Sequence, residues 1–345
     1  MNRGNVKFRL AKSKIVQIVI IILAFAITLP MIFIIFYISK EGITKINWTF
    51  LTRIPKPVGE LGGGILNAIV GSLIIVVLGS IIAVPGGILC GIYLSENKTS
   101  RLSYWSRLTV DVLQGVPSIV IGIVVYYWLV KNSGSLGVWV ISVVSAIIIM
   151  PYGILAGFFI RRNKVGFWNR LAVVALQFLP AITVGVVVYL VRRTAASSYS
   201  ALSGSIALAI MMLPILVRST EETLKLIPST LKEAGLALGV PYHKVILRII
   251  VPCGTSGILA GVILAIARIA GETAPLLFTA LGDDHLVFNV LRPMHSLPLL
   301  IFNYANQPYD ELHDLAWGAA LILLVTVLLL NITTKIATRK WNVQL

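Results

Sequence analysis

Leu66-Asn67-Ala68-Ile69-Val70-Gly71-Ser72-Leu73-Ile74-Ile75-Val76-Val77-Leu78-Gly79-Ser80-Ile81-Ile82-Ala83-Val84-Pro85-Gly86-Gly87-Ile88-Leu89-Cys90-Gly91-Ile92-Tyr93-Leu94 contains no charged side chain. The hydrocarbon core of a bilayer needs about 20 such residues per helix, so this stretch reads as a membrane span. By the same ruler the chain holds eight spans: 15–38, 66–94, 109–130, 137–160, 171–191, 202–217, 255–281 and 315–334. Composition agrees, with 57% of the 345 residues hydrophobic and 12% charged. A soluble domain could not bury that much apolar surface. The expected fold class is all-α, a polytopic integral membrane protein in contact with lipid. No nucleic-acid partner is expected, because the positive charge lies in short clusters between apolar runs and forms no basic face.

The formal net charge is +16, and its placement gives an orientation. An even number of spans leaves both termini on one side. The N-terminus, 95–108, 161–170, 218–254 and the C-terminus together hold some two-thirds of the 29 Lys and Arg residues. Basic loops stay inside, so this set is expected in the cytoplasm of a multi-pass plasma-membrane protein. The resulting division is a cytoplasmic N-terminus at 1–14, a first transmembrane helix at 15–38, an external loop at 39–65, a membrane domain at 66–334 and a cytoplasmic C-terminus at 335–345. The first span is too long for a removable signal peptide and lacks a small-residue cleavage site. Trp105 and Trp168 fall at inner ends, and Tyr37, Trp128, Trp139 and Trp317 at outer ends, where amphipathic rings belong.

Arg101–Ile154 aligns without a gap on Lys164–Val217. The register pairs Trp105 with Trp168, Arg107 with Arg170, Gln114 with Gln177, Pro117 with Pro180, Gly122 with Gly185, Tyr126 with Tyr189 and Pro151 with Pro214. This reads as a tandem duplication of a two-helix hairpin, a parallel repeat and not the inverted one of many secondary transporters. Gly87-x-x-x-Gly91 and Gly257-x-x-x-Gly261 suit close helix packing. Cys90 and Cys253 are too few for a disulfide framework or a zinc cluster. His285, His295 and His313 lack ligand spacing and read as surface histidines, so no metal site is expected. The acidic loop residues Asp283, Asp284, Asp310, Glu311 and Asp314 could face a partner protein or water.

Two segments carry charge beyond what anchoring needs. In the loop 218–254 the apolar spacing predicts a helix over Glu221 to Leu238, stopped by Gly239-Val240-Pro241, and a second helix after it. Such a pair makes either a projecting knob or an amphipathic hairpin lying on the surface. The second segment is the seventh span, Ala265-Ile266-Ala267-Arg268-Ile269-Ala270-Gly271-Glu272-Thr273-Ala274-Pro275-Leu276-Leu277-Phe278-Thr279-Ala280. An Arg at the centre of a span costs at least ~2.5 kcal/mol and faces a cavity or a partner. Glu272, four residues on, is expected on the same helical face one turn away. Such a pair either lines a pathway or locks neighbouring helices.

The loop spacing resembles the EAA signature of ATP-binding-cassette importer permeases: Glu-Ala-Ala, three residues, Gly, nine residues, Ile, one residue, Leu-Pro. Here it reads Glu233-Ala234-Gly235, Gly239, Ile249, Val251-Pro252, with Gly235 and Val251 as departures that keep small or aliphatic character. In that family the loop docks on a cytoplasmic ATPase, which implies a coupling role for Glu233, Ala234, Gly239 and Pro241. The chain has no G-x-x-x-x-G-K-[ST] loop to cradle phosphates, so it is expected to be no enzyme, to carry no cofactor and to rely on ATP used by a partner. Arg268 through Ala280, Gln114-Gly115-Val116-Pro117-Ser118-Ile119-Val120, Arg218-Ser219-Thr220-Glu221-Glu222 and Ala316-Trp317-Gly318-Ala319-Ala320 closely resemble the PstA-type permease of phosphate importers. The resemblance implies a type I importer permease fold and a substrate path past Arg268, Glu272, Thr273 and Gln114. It also implies a PstC-type sister permease, a PstB-type ATPase dimer and an external PstS-type phosphate-binding protein. Members usually have six spans; with eight counted here, 137–160 and 171–191 look like inserted material. A permease for another oxyanion and an ion-coupled secondary carrier are the alternatives; the carrier would not need the coupling loop. An intramembrane enzyme would need a nucleophile and base or a metal cluster within the spans, and none is present in the sequence.

Overall fold

The computed structural model describes residues 3–60, 62–131 and 199–340. Every regular element among them is helical. In chain order these are α1 (Arg3–Ile43), α2 (Trp48–Thr52), α3 (Leu66–Glu96), α4 (Arg101–Gly115), α5 (Ser118–Val130), α6 (Ala201–Lys225), α7 (Ser229–Ala237), α8 (Tyr242–Cys253), α9 (Thr255–Ala270), α10 (Ala274–Thr279), α11 (Leu297–Ala305) and α12 (Asp310–Lys340). Four of these helices, α1, α3, α6 and α12, are long and apolar enough to cross a membrane; counting the bent pairs α4/α5 and α8/α9 as one span each raises the number to six. The expected spans 137–160 and 171–191 and most of the second hairpin copy lie outside the described residues.

The centre is α6. Helices in lipid gain nothing from hiding apolar side chains from water, so they associate through close packing, and small residues permit it. At Gly87 and Gly91 of α3 a β-carbon would meet Leu216 and Thr220 of α6, and at Gly257 and Gly261 of α9 it would meet Thr223 and Ser219. Both small-residue pairs seen in the sequence therefore lay their helices on α6. Between them Ile75, Ala83, Leu208, Met212, Leu216, Ile269 and Leu276 form the buried core. On the outside α1 rests on α12, with Tyr37 edge-on to Trp317 at 5.3 Å and Gly42 tight against Leu321.

Three expected helices are broken. The span 109–130 is two helices bent by 101°, because Val116 and Pro117 leave helical geometry and Pro117, without an N–H, opens α5. The helix Glu221 to Leu238 is interrupted at Leu226–Pro228 for the same reason, with Pro228 opening α7. The span 255–281 ends at Ala270: Gly271 caps α9, Glu272 and Thr273 are non-helical, and Pro275 sits in the first turn of α10. Elsewhere α1 runs past both ends of 15–38, α6 continues beyond 217, and α12 reaches Lys340.

Candidate functional site

The stop at Gly239 is where the spacing placed it. Gly239 has φ +75°, its N–H donates to the Leu236 carbonyl, and Val240 N–H reaches back to Gly235 O. That pair of bonds closes the end of α7 in the left-handed way that glycine permits without strain. The turn sets α7 and α8 as a hairpin whose inner face places Val245, Ile246 and Ile250 in one apolar cluster with Leu224 of α6 and Ile258 of α9, against which Ile88 and Ile92 of α3 pack. Gly235, one of the departures from the signature, faces inward with Val245 and Ile249 at 3.1 Å from where a β-carbon would stand. Glu233, Ala234, Gly239 and Pro241 are all exposed, and Leu238 is 83% exposed at the tip.

The hairpin is also fastened by charge. Glu96, the last residue of α3, accepts hydrogen bonds from Lys232 Nζ in α7 and Tyr242 OH in α8, and the ammonium lies 4.8 Å over the Tyr242 ring. Burial works against the Lys232 charge, but its hydrogen bonds to Glu96 and Tyr242 outweigh it and hold the pKa above the ordinary lysine value.

Arg268 and Glu272 do meet, Nε to Oε1 at 4.0 Å, though not as two residues on one helix. Arg268 occupies the last turn of α9, where a cation complements the partial negative charge of the helix end, and Glu272 follows in the break. Arg268 is 54% exposed, so it is no mid-span charge buried among apolar neighbours. Thr273 precedes α10, which packs on α5 where Gly122 closes on Pro275. Gln114 is exposed near the end of α4, beyond the Val116–Pro117 break from α5. Non-helical backbone at membrane depth persists only where protein buries it or water reaches it, and Gly271 in this break is exposed.

A second charged centre carried no assigned role in the sequence. Glu221 is fully buried in α6; Arg107 Nε of α4 binds Oε1 at 2.7 Å, Lys225 Nζ binds the same oxygen at 2.6 Å, and Arg218 Nη1 lies 3.8 Å from Oε2. Arg107 also donates to the carbonyls of Leu94 and Lys98, and Arg218 pairs with Asp111 on α4. The signal was available: Arg218-x-x-Glu221 spaces opposite charges one turn apart beside an apolar run. On the loop between α10 and α11, His295 is buried, contrary to its reading as a surface residue. Its ring packs against Gly282, which has φ +96°, and its Nε2 lies 3.4 Å from Asp284, which also accepts from Tyr304 OH at 2.9 Å. The acidic loop residues are partly consumed within the chain, Asp314 by Lys45 at 2.6 Å and Glu311 by the Gly59 amide at 3.0 Å. Among the described residues no group of three potential metal ligands converges.

Residues 149–342 match the family described as binding-protein-dependent transport system inner membrane component. The chain is 33% identical over 311 residues to the phosphate transport system permease protein PstA of Yersinia pestis, covering 90% of this chain and 84% of that protein. The PstA of Pasteurella multocida is 34% identical over 305 residues, covering 88% of this chain and 86% of that one. A probable PstA of Methanocaldococcus jannaschii is 29% identical over 333 residues and covers 96% and 95%. With helical spans gathered around α6 and an exposed EAA-type hairpin beside them, the chain belongs to the inner-membrane permeases of binding-protein-dependent transport systems, among those of the PstA kind.

Proposed function

We propose that this chain is one of two membrane-spanning subunits through which an ATP-driven importer moves inorganic phosphate across the plasma membrane. The observation that carries the reading is the α7/α8 hairpin: a rigid, Gly239-closed knob, packed on α3 from within, with Glu233, Ala234 and Leu238 exposed for a partner. In this reading the knob and both termini are cytoplasmic. A PstB-type ATPase dimer docks on the knob and consumes the ATP, a PstC-type permease completes the pore, and a PstS-type protein delivers phosphate from outside.

The substrate path runs past the break at Gly271–Thr273. The Arg268 guanidinium offers paired donors to an oxyanion, which offsets part of the cost of taking it from water. Glu272 repels an anion but can accept a hydrogen bond, and phosphate near neutral pH still carries a hydroxyl proton where sulfate has none. Arg268 would exchange Glu272 for the passing ion, with Thr273 and Gln114 as further polar groups along the way. Reconstitution with the partner subunits tests the knob: Gly239→Trp and Glu233→Lys should leave the complex assembled but sever ATP hydrolysis from uptake. Unimpaired uptake by Gly239→Trp would count decisively against the assignment.

A further inference from the structure

We infer that Glu96 is a positioning residue for coupling: its bonds to Lys232 and Tyr242 make the α7/α8 hairpin and the end of α3 move as one body. The inference rests on the reading of that hairpin as the ATPase-docking knob.

An acidic residue is misplaced at the end of a helix, where the backbone already concentrates partial negative charge. Glu96 is the last residue of α3 and its side chain is only 14% exposed. Such a charge persists only when a partner is built for it, and the two partners come from opposite sides of the Gly239 turn. Lys232 directly precedes Glu233 of the signature, and Tyr242 directly follows Pro241. One carboxylate oxygen thereby ties both helices of the knob together and ties both to α3.

The same turn of α3 is held from the other side. Arg107 donates to the carbonyl of Leu94, two residues before Glu96, while its Nε holds buried Glu221 of α6. Polar contacts therefore run without interruption from the docking surface through Glu96, the end of α3 and Arg107 to the central helix. The apolar packing of Ile88 and Ile92 against the knob resists compression but allows sliding, whereas hydrogen bonds to a single oxygen fix direction. A force applied at Glu233 is thus delivered to α3 and α6 as a displacement and is not absorbed by the loop.

The test uses the assembled transporter in vesicles, with phosphate uptake and ATP hydrolysis measured on one preparation. Glu96→Gln and Lys232→Met should assemble and hydrolyse ATP, yet import about three- to tenfold less phosphate per ATP, the range expected for losing one coupled contact. Reversing the pair, Glu96→Lys with Lys232→Glu, should restore the ratio to within about twofold of wild type. A role in folding alone would alter yield and leave the ratio untouched. Wild-type ratios in the single variants, or a reversed pair no better than either, would overturn the inference. If the single variants do not assemble, Tyr242→Phe decides, since it removes one oxygen: a lowered ratio supports the tie and an unchanged one refutes it. A wild-type complex that imports phosphate without ATP would overturn the coupling reading together with this inference.

Discussion

Glu221 and Arg268 are both charged residues of membrane helices, and their surroundings assign them opposite behaviour under mutation. Glu221 is buried beneath Arg107, Lys225 and Arg218, which are themselves partly exposed, so Glu221→Ala removes the hydrogen bonds of Arg107 and Lys225 to the carboxylate but leaves the cations within reach of solvent. A loss of about 2 kcal/mol is expected, seen as a lower unfolding temperature of the complex in detergent. Arg268 is half exposed with a loose partner, so Arg268→Ala should barely change that temperature while phosphate uptake is lost. Glu272→Gln keeps the shape and an accepting carbonyl; it should weaken phosphate-over-sulfate discrimination more than transport, measured as flux in a variant that works without the binding protein. Asp284 titrates as a latch. Its hydrogen bond from His295, aided by Tyr304 against the cost of burial, holds its pKa below the ordinary aspartate value. The depressed pKa contributes stability that is fully present above about pH 4 and lost as pH falls through the folded value. Hydrogen exchange of residues 282–296 should therefore accelerate only in acid below that point, and Asp284→Asn should remove the acid step.

At the scale of elements, the long apolar runs were legible and their interruptions were not. Leu66–Leu94 differs from the observed α3 by two residues, because a run that must satisfy every backbone group internally has no alternative to helix. A hydropathy ruler passes over proline for the same reason: Pro30, Pro85 and Pro214 all lie inside continuous helices, whereas Pro117 and Pro228 open new ones. The turn at Gly239 was legible because it acts through local backbone geometry, but burial of His295 against Gly282 required knowing which loop folds over which helix. Packing glycines give a direct test. Gly261→Val thrusts a side chain into Ser219 and should lower the yield of assembled complex, as overpacking by about 1–3 kcal/mol does. Gly115→Ala meets open space and should leave yield unchanged or slightly raised.

For the whole molecule, the arrangement puts the Gly239 knob at one end of α6 and the loop 281–296 at the other, where the backbone of Ser200, Ala201 and Leu202 bonds to Thr279, Arg292 and Val290. In a background lacking Cys90 and Cys253, an impermeant thiol reagent added to intact cells should label His285→Cys and spare Leu238→Cys. Labelling of Leu238→Cys from outside would invert the proposed orientation.

The pairing of α1 with α12 bears on how the chain is made. Side chains of α1 from Lys12 onward are almost wholly uncovered until Tyr37 and Gly42 reach Trp317 and Leu321 of α12. Among the described residues, α1 thus pairs with a helix that follows it by more than 250 positions. The contact that sets the tilt of α1 against α12 forms only after Asp310–Lys340 has been inserted. A crosslink between cysteines at Tyr37 and Trp317 should accordingly appear in a single step as nascent chains are lengthened, once α12 has entered the bilayer.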